Sequence, residues 1–209
     1  MRRGQGMSRL EKQQRTRGAL LRSASKLFCR RGLEGTSVDE VAEDAGYTKG
    51  AFYANFKSKE ELCLTMLERR FDAYLEQFDR LLATDEQPEE RARRAGDHFS
   101  GLVEADPQWQ RLSFEFAVYA MRNEGFRREL VARYRSLRER IAEVFRVRAE
   151  EMNIEPPIPL ERLVLMTFAM SDGVALGKLL EPETFSDELY GSMLTILFTG
   201  LRALVEAED

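Results

Sequence analysis

Between Gly46 and Leu62 the chain reads "GYTKGAFYANFKSKEEL", with Lys49, Lys57, Lys59, Tyr53 and Asn55 set among small residues. Ammonium, phenol and amide groups donate to phosphate oxygens and to the acceptor edges of bases, and small neighbours permit close approach. Bond-breaking chemistry finds no comparable grouping. There is one histidine, His98, and neither a G-x-S-x-G nor a P-loop sequence; "GQG" at Gly4–Gly6 follows no strand. With no neighbouring Cys or His, His98 is expected as a solvent-exposed helix side chain, and neither a metal site nor a cofactor is expected. Cys29 and Cys63 read as reduced, small buried hydrophobes, with a redox switch between them as the alternative.

The elements that must hold this stretch are helical. Leu20, Ala24, Leu27 and Phe28 follow helical spacing up to Gly32. Ser37 and Glu40 form a capping box that opens a second helix, which stops at Gly46. A third opens at Thr48 and is expected to run to about Phe56. Ser58–Glu61, a further capping box, starts a long helix to about Leu82. Two short helices about a tight turn form a helix-turn-helix pattern, with Val41, Ala45, Phe52 and Phe56 facing a small core. Thr48, Lys49, Gly50, Ala51, Tyr53, Ala54 and Asn55 then cover a surface suited to the major groove. Thr36, Ser37, Tyr53, Lys57 and Lys59 are placed for phosphates, helped by amides at the helix starts.

Charge agrees with that placement. The protein of 209 residues carries a formal charge of −4. Yet residues 1–62 hold 13 Lys/Arg against 8 Asp/Glu, a net of +5. A basic front on an acidic body suits a polyanion at one end only. The segment 1–12 reads as a basic, flexible arm, expected to be disordered through Leu10 without DNA.

Beyond "ATDEQPEE" the breaks at Asp106-Pro107, "NEG", "NIEPPIP" and Glu181-Pro182 divide helices at about 88–105, 107–121, 124–151, 159–180 and 186–206. The expectation is an all-α protein of about nine helices. Its basic, polar start does not resemble a secretory leader. The apolar windows 160–180 and 189–204 carry charges and read as buried helices rather than membrane spans, so a cytoplasmic location is expected.

"GLEGTSVDEVAEDAGYTKGAFYANFKSKEEL", residues 32–62, resembles the N-terminal signature of TetR-family transcriptional regulators, and "RGALLRSASKLFCRRG" resembles that family's first helix. The resemblance implies a DNA-binding domain at about 13–73 and an effector-binding and dimerisation domain at 74–209. It implies a ligand-responsive homodimer, a repressor, on a palindromic double-stranded operator. By position it carries phosphate contact to Ser37, Tyr53 and Lys59, and base readout to Lys49, Gly50, Ala51 and Asn55. Thr48 opens the reading helix. Ala54 departs from the bulkier residue common there.

The body is less specific. "DPQWQRLSFEFAVYAMRNEGFRREL" and "LVLMTFAMSDGVALGKLL" resemble a body found among choline-responsive and other TetR-like regulators. The family implies a pocket for a small-molecule effector and a four-helix dimer interface. Met193, Ile196, Leu197, Gly200, Leu201 and Leu204 form a stripe on the last helix that suits such an interface. In the apolar helix 107–121, Glu115 needs a partner if enclosed, as does Asp172 in 163–180. Each either pairs with an arginine such as Arg94, Arg111 or Arg138, or anchors a lipophilic cation among Trp109, Phe114, Tyr119 and Phe168. A helical adaptor without DNA affinity is the competing reading for the whole chain. It differs in showing no DNA retardation and no salt dependence.

Overall fold

The computed structural model describes residues 8–84, 86–151 and 155–206, and every regular element among them is an α-helix. In chain order these are α1 (Arg9–Arg31), α2 (Val38–Asp44), α3 (Lys49–Tyr53), α4 (Lys59–Leu82), α5 (Pro88–Ala105), α6 (Pro107–Arg122), α7 (Glu124–Glu151), α8 (Leu160–Leu180) and α9 (Leu189–Glu206).

Local chemistry fixes the ends, and it departs from expectation at three of them. Ser8 caps α1: its Oγ accepts from the Glu11 amide (3.2 Å) while the Glu11 carboxylate accepts from the Ser8 amide (2.6 Å). Ser8–Lys12 therefore form a cap and first turn, not part of a flexible arm. Met1–Met7, with Arg2 and Arg3, lie outside the described residues. Asn55 stops α3 short of Phe56. Its side-chain amide donates to the Ala51 carbonyl (2.8 Å), which a continuing helix would offer to the Asn55 backbone N–H, and that N–H turns to Phe52 instead (2.9 Å). Ser58 caps α4 as expected, but Glu61 returns its carboxylate to the Lys57 amide (2.6 Å) rather than to Ser58.

Two compact units result. One joins the residues up to Arg69 with Leu112–Leu130. It contains α1, α2, α3, the start of α4, most of α6 and the first turns of α7. Leu20, Ala24, Phe28, Val41, Phe52, Phe56, Leu62 and Leu67 are buried there, as are Leu112, Phe116 and Phe126. The rings of Phe116 and Phe126 meet edge to face, 6.2 Å between centroids.

The other unit comprises Arg70–Arg111 and the chain from Val131 onward. Leu75, Phe78 and Leu82 of α4 cluster with Leu137 and Ile141 of α7 and Val164 of α8. Ala92, Val174, Tyr190 and Leu194 form a second cluster among α5, α8 and α9. Helices α5 and α9 cross at Gly96 and Gly191, where a Cβ on Gly96 would collide with the Gly191 backbone. Gly177 likewise makes room for the Phe185 ring. The buried Lys178 is neutralised by Glu104 (2.9 Å) and Asp187.

Helix α8 is long and apolar enough to cross a membrane by length and composition. It buries only one side: Val164, Thr167, Ser171 and Val174 are covered, whereas Leu165, Leu176 and Leu180 are exposed. The side carrying Leu165, Leu176 and Leu180 is open in the single chain.

Candidate nucleic-acid interface

Helices α2 and α3 are joined through Ala45–Thr48. Gly46 takes φ 76°, a conformation that side-chain-bearing residues resist, and the Tyr47 amide closes the turn on the Ala42 carbonyl (2.8 Å). Ser37 and Thr48 cap the two helices, accepting from the amides of Glu40 and Ala51 at 3.2 Å each. Ser23 of α1 donates to the Val41 carbonyl (2.9 Å), fixing α2 on α1. Val41, Ala42, Phe52 and Phe56 are buried; Ala45 is only half-buried.

The opposite side is open. Ser37, Asp39, Thr48, Lys49, Gly50, Tyr53, Ala54 and Lys57 are exposed, and Ala51 is half-buried. Tyr53 stands on the edge of Phe52 with about half of its surface free (52%). Lys49 Nζ donates to Asp39 Oδ2 at 2.9 Å. The hydrogen bond and the charge of Asp39 raise the Lys49 ammonium above its ordinary range.

Three residues expected to face DNA serve the scaffold instead. Thr36 is buried (1% exposed), and its hydroxyl donates to the Gly32 carbonyl (2.9 Å). Asn55 ends α3 as described, its Oδ1 sealed from solvent, while Arg17 donates to its backbone carbonyl (2.6 Å). Lys59 Nζ donates to the carbonyls of Leu33 (2.6 Å) and Thr36 (2.8 Å), tying the α1–α2 loop to the start of α4. Of the amides at the starts of α2 and α3, those of Glu40 and Ala51 are occupied by the caps. The signal for two of these roles was in the numbering. Thr36 and Asn55 each stand four residues after the carbonyl they hold, the reach of local side-chain-to-backbone bonding.

Sequence reasoning also missed Arg17, whose guanidinium lies over the Phe56 ring (4.1 Å) and reaches Thr65 (3.3 Å). It missed the attachment of α6 as well. Glu115 is exposed and not enclosed, and it accepts from the Leu33 amide (3.3 Å) beside Gly32. Tyr119 donates to Glu60 (2.9 Å) and accepts from Asn123 (3.2 Å). Burial pushes the Glu60 carboxyl up, but hydrogen bonds from its own amide, Ser58 and Tyr119 outweigh this and hold it below the ordinary range.

The residues expected to hold an effector divide between the units. Phe114, Glu115 and Tyr119 fall in the first; Trp109, Phe168 and Asp172 fall in the second. Trp109 lies 5.5 Å from the Arg70 guanidinium, and Phe168 packs half-buried on the α4–α7–α8 cluster. Asp172 is exposed and not enclosed, yet partial loss of surrounding water raises its carboxyl above the ordinary range, with Arg138 opposing. The second unit also has a cleft of about 210 Å³ beside the Lys178–Glu104 pair, lined in part by Val103, Pro107, Pro182 and Phe185. None of the expected effector residues lines it. Of the stripe on α9, Ile196, Gly200 and Leu204 are exposed and Leu197 and Leu201 half-buried, while Met193 turns into the chain's own cluster with α5 and α8.

A helix-turn-helix whose second helix is small, polar and open, carried on a chain with an all-helical body, defines a DNA-binding regulator rather than an enzyme. Residues 20–66 match the family of bacterial regulatory proteins, tetR family, and residues 88–203 match the C-terminal domain of BetI-type transcriptional repressors. The chain belongs to the TetR family of transcriptional regulators. It is 39% identical to the transcriptional activator FasR of Mycolicibacterium smegmatis over 108 residues, 52% of this chain and 49% of FasR. The chain thus matches about half the length of that relative. It is 25% identical to the regulator YfiR of Bacillus subtilis over 177 residues, 85% of this chain and 86% of YfiR. Among solved structures, a putative transcriptional regulator from Pseudomonas aeruginosa PAO1 superposes with a TM-score of 0.74 at 22% identity, covering 93% of each chain. The regulator FadR of Bacillus subtilis, solved in complex with stearoyl-CoA, superposes with a TM-score of 0.71 at 15% identity, covering 86% of this chain and 96% of FadR. These two structural likenesses concern the fold.

Proposed function

We propose that this chain acts in the cytoplasm as a homodimeric repressor, holding a palindromic operator and releasing it when a small lipophilic molecule binds the body. The observation that carries the DNA contact is the open face formed by Thr48, Lys49, Gly50, Tyr53 and Ala54, flanked by Ser37 and Lys57. Tyr53 and Lys57 hold phosphates; Lys49, with Gly50 and Ala51 leaving room beside it, reaches base edges. A mobility shift on duplex DNA across a salt series tests it. Retardation that weakens steeply with salt is expected, whereas a helical adaptor gives neither. Tyr53→Phe should weaken binding to all sequences by about 0.5–1.5 kcal/mol per site, because it removes a hydroxyl without changing base contacts.

Dimerisation is supported by the apolar surface left open on α8 (Leu165, Leu176, Leu180) and α9 (Ile196, Leu204). Gly173 and Gly200 have open space beside them, which suits close approach of a partner helix. A lipophilic effector is supported by the stearoyl-CoA complex of FadR, a protein of the same fold. For a cationic effector Asp172 is the remaining acidic anchor, since Glu115 is committed to Leu33. Paired screening of lipophilic amines, acyl thioesters and neutral isosteres, read by operator release, separates the classes. Release by neutral or anionic compounds alone removes the acidic anchor.

A further inference from the structure

An acidic side chain is exposed beside the face proposed to meet DNA. Asp39 projects from the first turn of α2, is exposed, and lies 2.9 Å from Lys49 at the start of α3. Both side chains keep more than half of their surface free (62% and 57%), so the pair is presented outward rather than folded away. On a surface for a polyanion, a carboxylate lowers affinity unless it meets a donor. Phosphates offer none. In the major groove the base donors are the exocyclic amino groups of cytosine and adenine.

We infer that Asp39 and Lys49 act together as a reader of one G·C base pair in each half-site. A G·C pair presents two adjacent acceptors, guanine N7 and O6, followed by one donor, the cytosine N4 amino group. Lys49, an ammonium with donors only, takes the guanine acceptors; Asp39, an acceptor only, takes the cytosine proton that points into the groove. The spacing agrees. The N4–H···O6 bond within the base pair is an ordinary N–H···O bond of about 2.9–3.0 Å, which matches the separation of Lys49 Nζ and Asp39 Oδ2. The ion pair can therefore lie edge to edge on the base pair without coming apart. An A·T pair fits less well: its outer positions are both acceptors, so the ammonium has a single acceptor on whichever side it lies. Asp39 also keeps Lys49 from drifting to a phosphate, where it would read nothing.

This inference rests on the DNA-binding reading, and one experiment separates the two. Operators are selected from a random duplex library by the wild-type protein and by Asp39→Ala, Lys49→Ala and the double variant, each checked for an unchanged melting temperature. The wild type should select G·C at one position per half-site. Each single variant should lose that preference, by about 5- to 150-fold, at the same position and no other. The double variant should lose little more than either single one, because both act on one base pair. Replacing the guanine by inosine, which leaves the major-groove edge intact, should leave affinity unchanged. The inference is overturned if Asp39→Ala tightens binding to every sequence and keeps the selected operator, since Asp39 would then only repel phosphates. It is also overturned if the two variants alter different positions, if the shared position is A·T, or if inosine weakens binding. If the wild type retains no duplex at all, the DNA-binding reading itself fails.

Discussion

Lys59 commits two of its three N–H donors to the carbonyls of Leu33 and Thr36. Lys59→Met keeps most of the stem but leaves both carbonyls without their donor, so a loss of about 1–3 kcal/mol is expected in urea unfolding. Unchanged stability would return the ammonium to the phosphate role. Gly32 makes a second residue-scale case. It holds φ 74° and ψ 171°, and a Cβ there would stand 2.7 Å from Glu115 Oε2. Gly32→Ala should cost about 1–3 kcal/mol from backbone strain alone. Combining it with Glu115→Ala should relieve the steric part and not the strain. The sequence marked Gly32 as a helix stop. It did not show that a carboxylate from 83 residues away fills the space a side chain would need.

At the scale of elements, helix order and most boundaries were legible, because Pro, Gly and capping residues act within a few positions of themselves. The end of α3 was not. "ANF" continues the helical pattern, and only the competition of the Asn55 side chain for the Ala51 carbonyl breaks it. The role of α6 was also hidden, since its apolar pattern fits a ligand pocket as readily as a docking face. Its link to α4 makes a pH prediction. The Glu60 carboxyl is held below its ordinary range in the folded chain, so its contribution to stability is complete above the unfolded value of about 4.3. That contribution is lost as pH falls through the lower, folded value. Tyr119→Phe removes one of the bonds that hold it there. The variant's melting temperature should therefore lie below wild type near neutrality, and the gap should close as the solution is acidified through that window. A gap independent of pH would assign the loss to packing.

For the whole molecule, the assembly prediction follows from which part of α9 is free. Leu197 is half-buried within the single chain, so a charge there would disturb folding and assembly together. Ile196 is 73% exposed. Ile196→Arg should leave the helical content and the fold of the single chain intact while costing the proposed dimer several kcal/mol through an unpaired, buried charge. Sedimentation should show monomers, and operator affinity should fall because each protomer reaches one half-site. A tight dimer would place the interface elsewhere.

The division of labour in the helix-turn-helix has an evolutionary consequence. Thr36, Asn55 and Lys59 hold the backbone, whereas Asp39, Lys49, Gly50 and Ala54 are exposed. Substitutions at the second set should change stability by no more than about 0.5 kcal/mol. After gene duplication, copies of such a chain can drift to new operators one exposed position at a time, without passing through an unfolded intermediate. The same freedom makes this face the natural site for re-targeting the regulator by design.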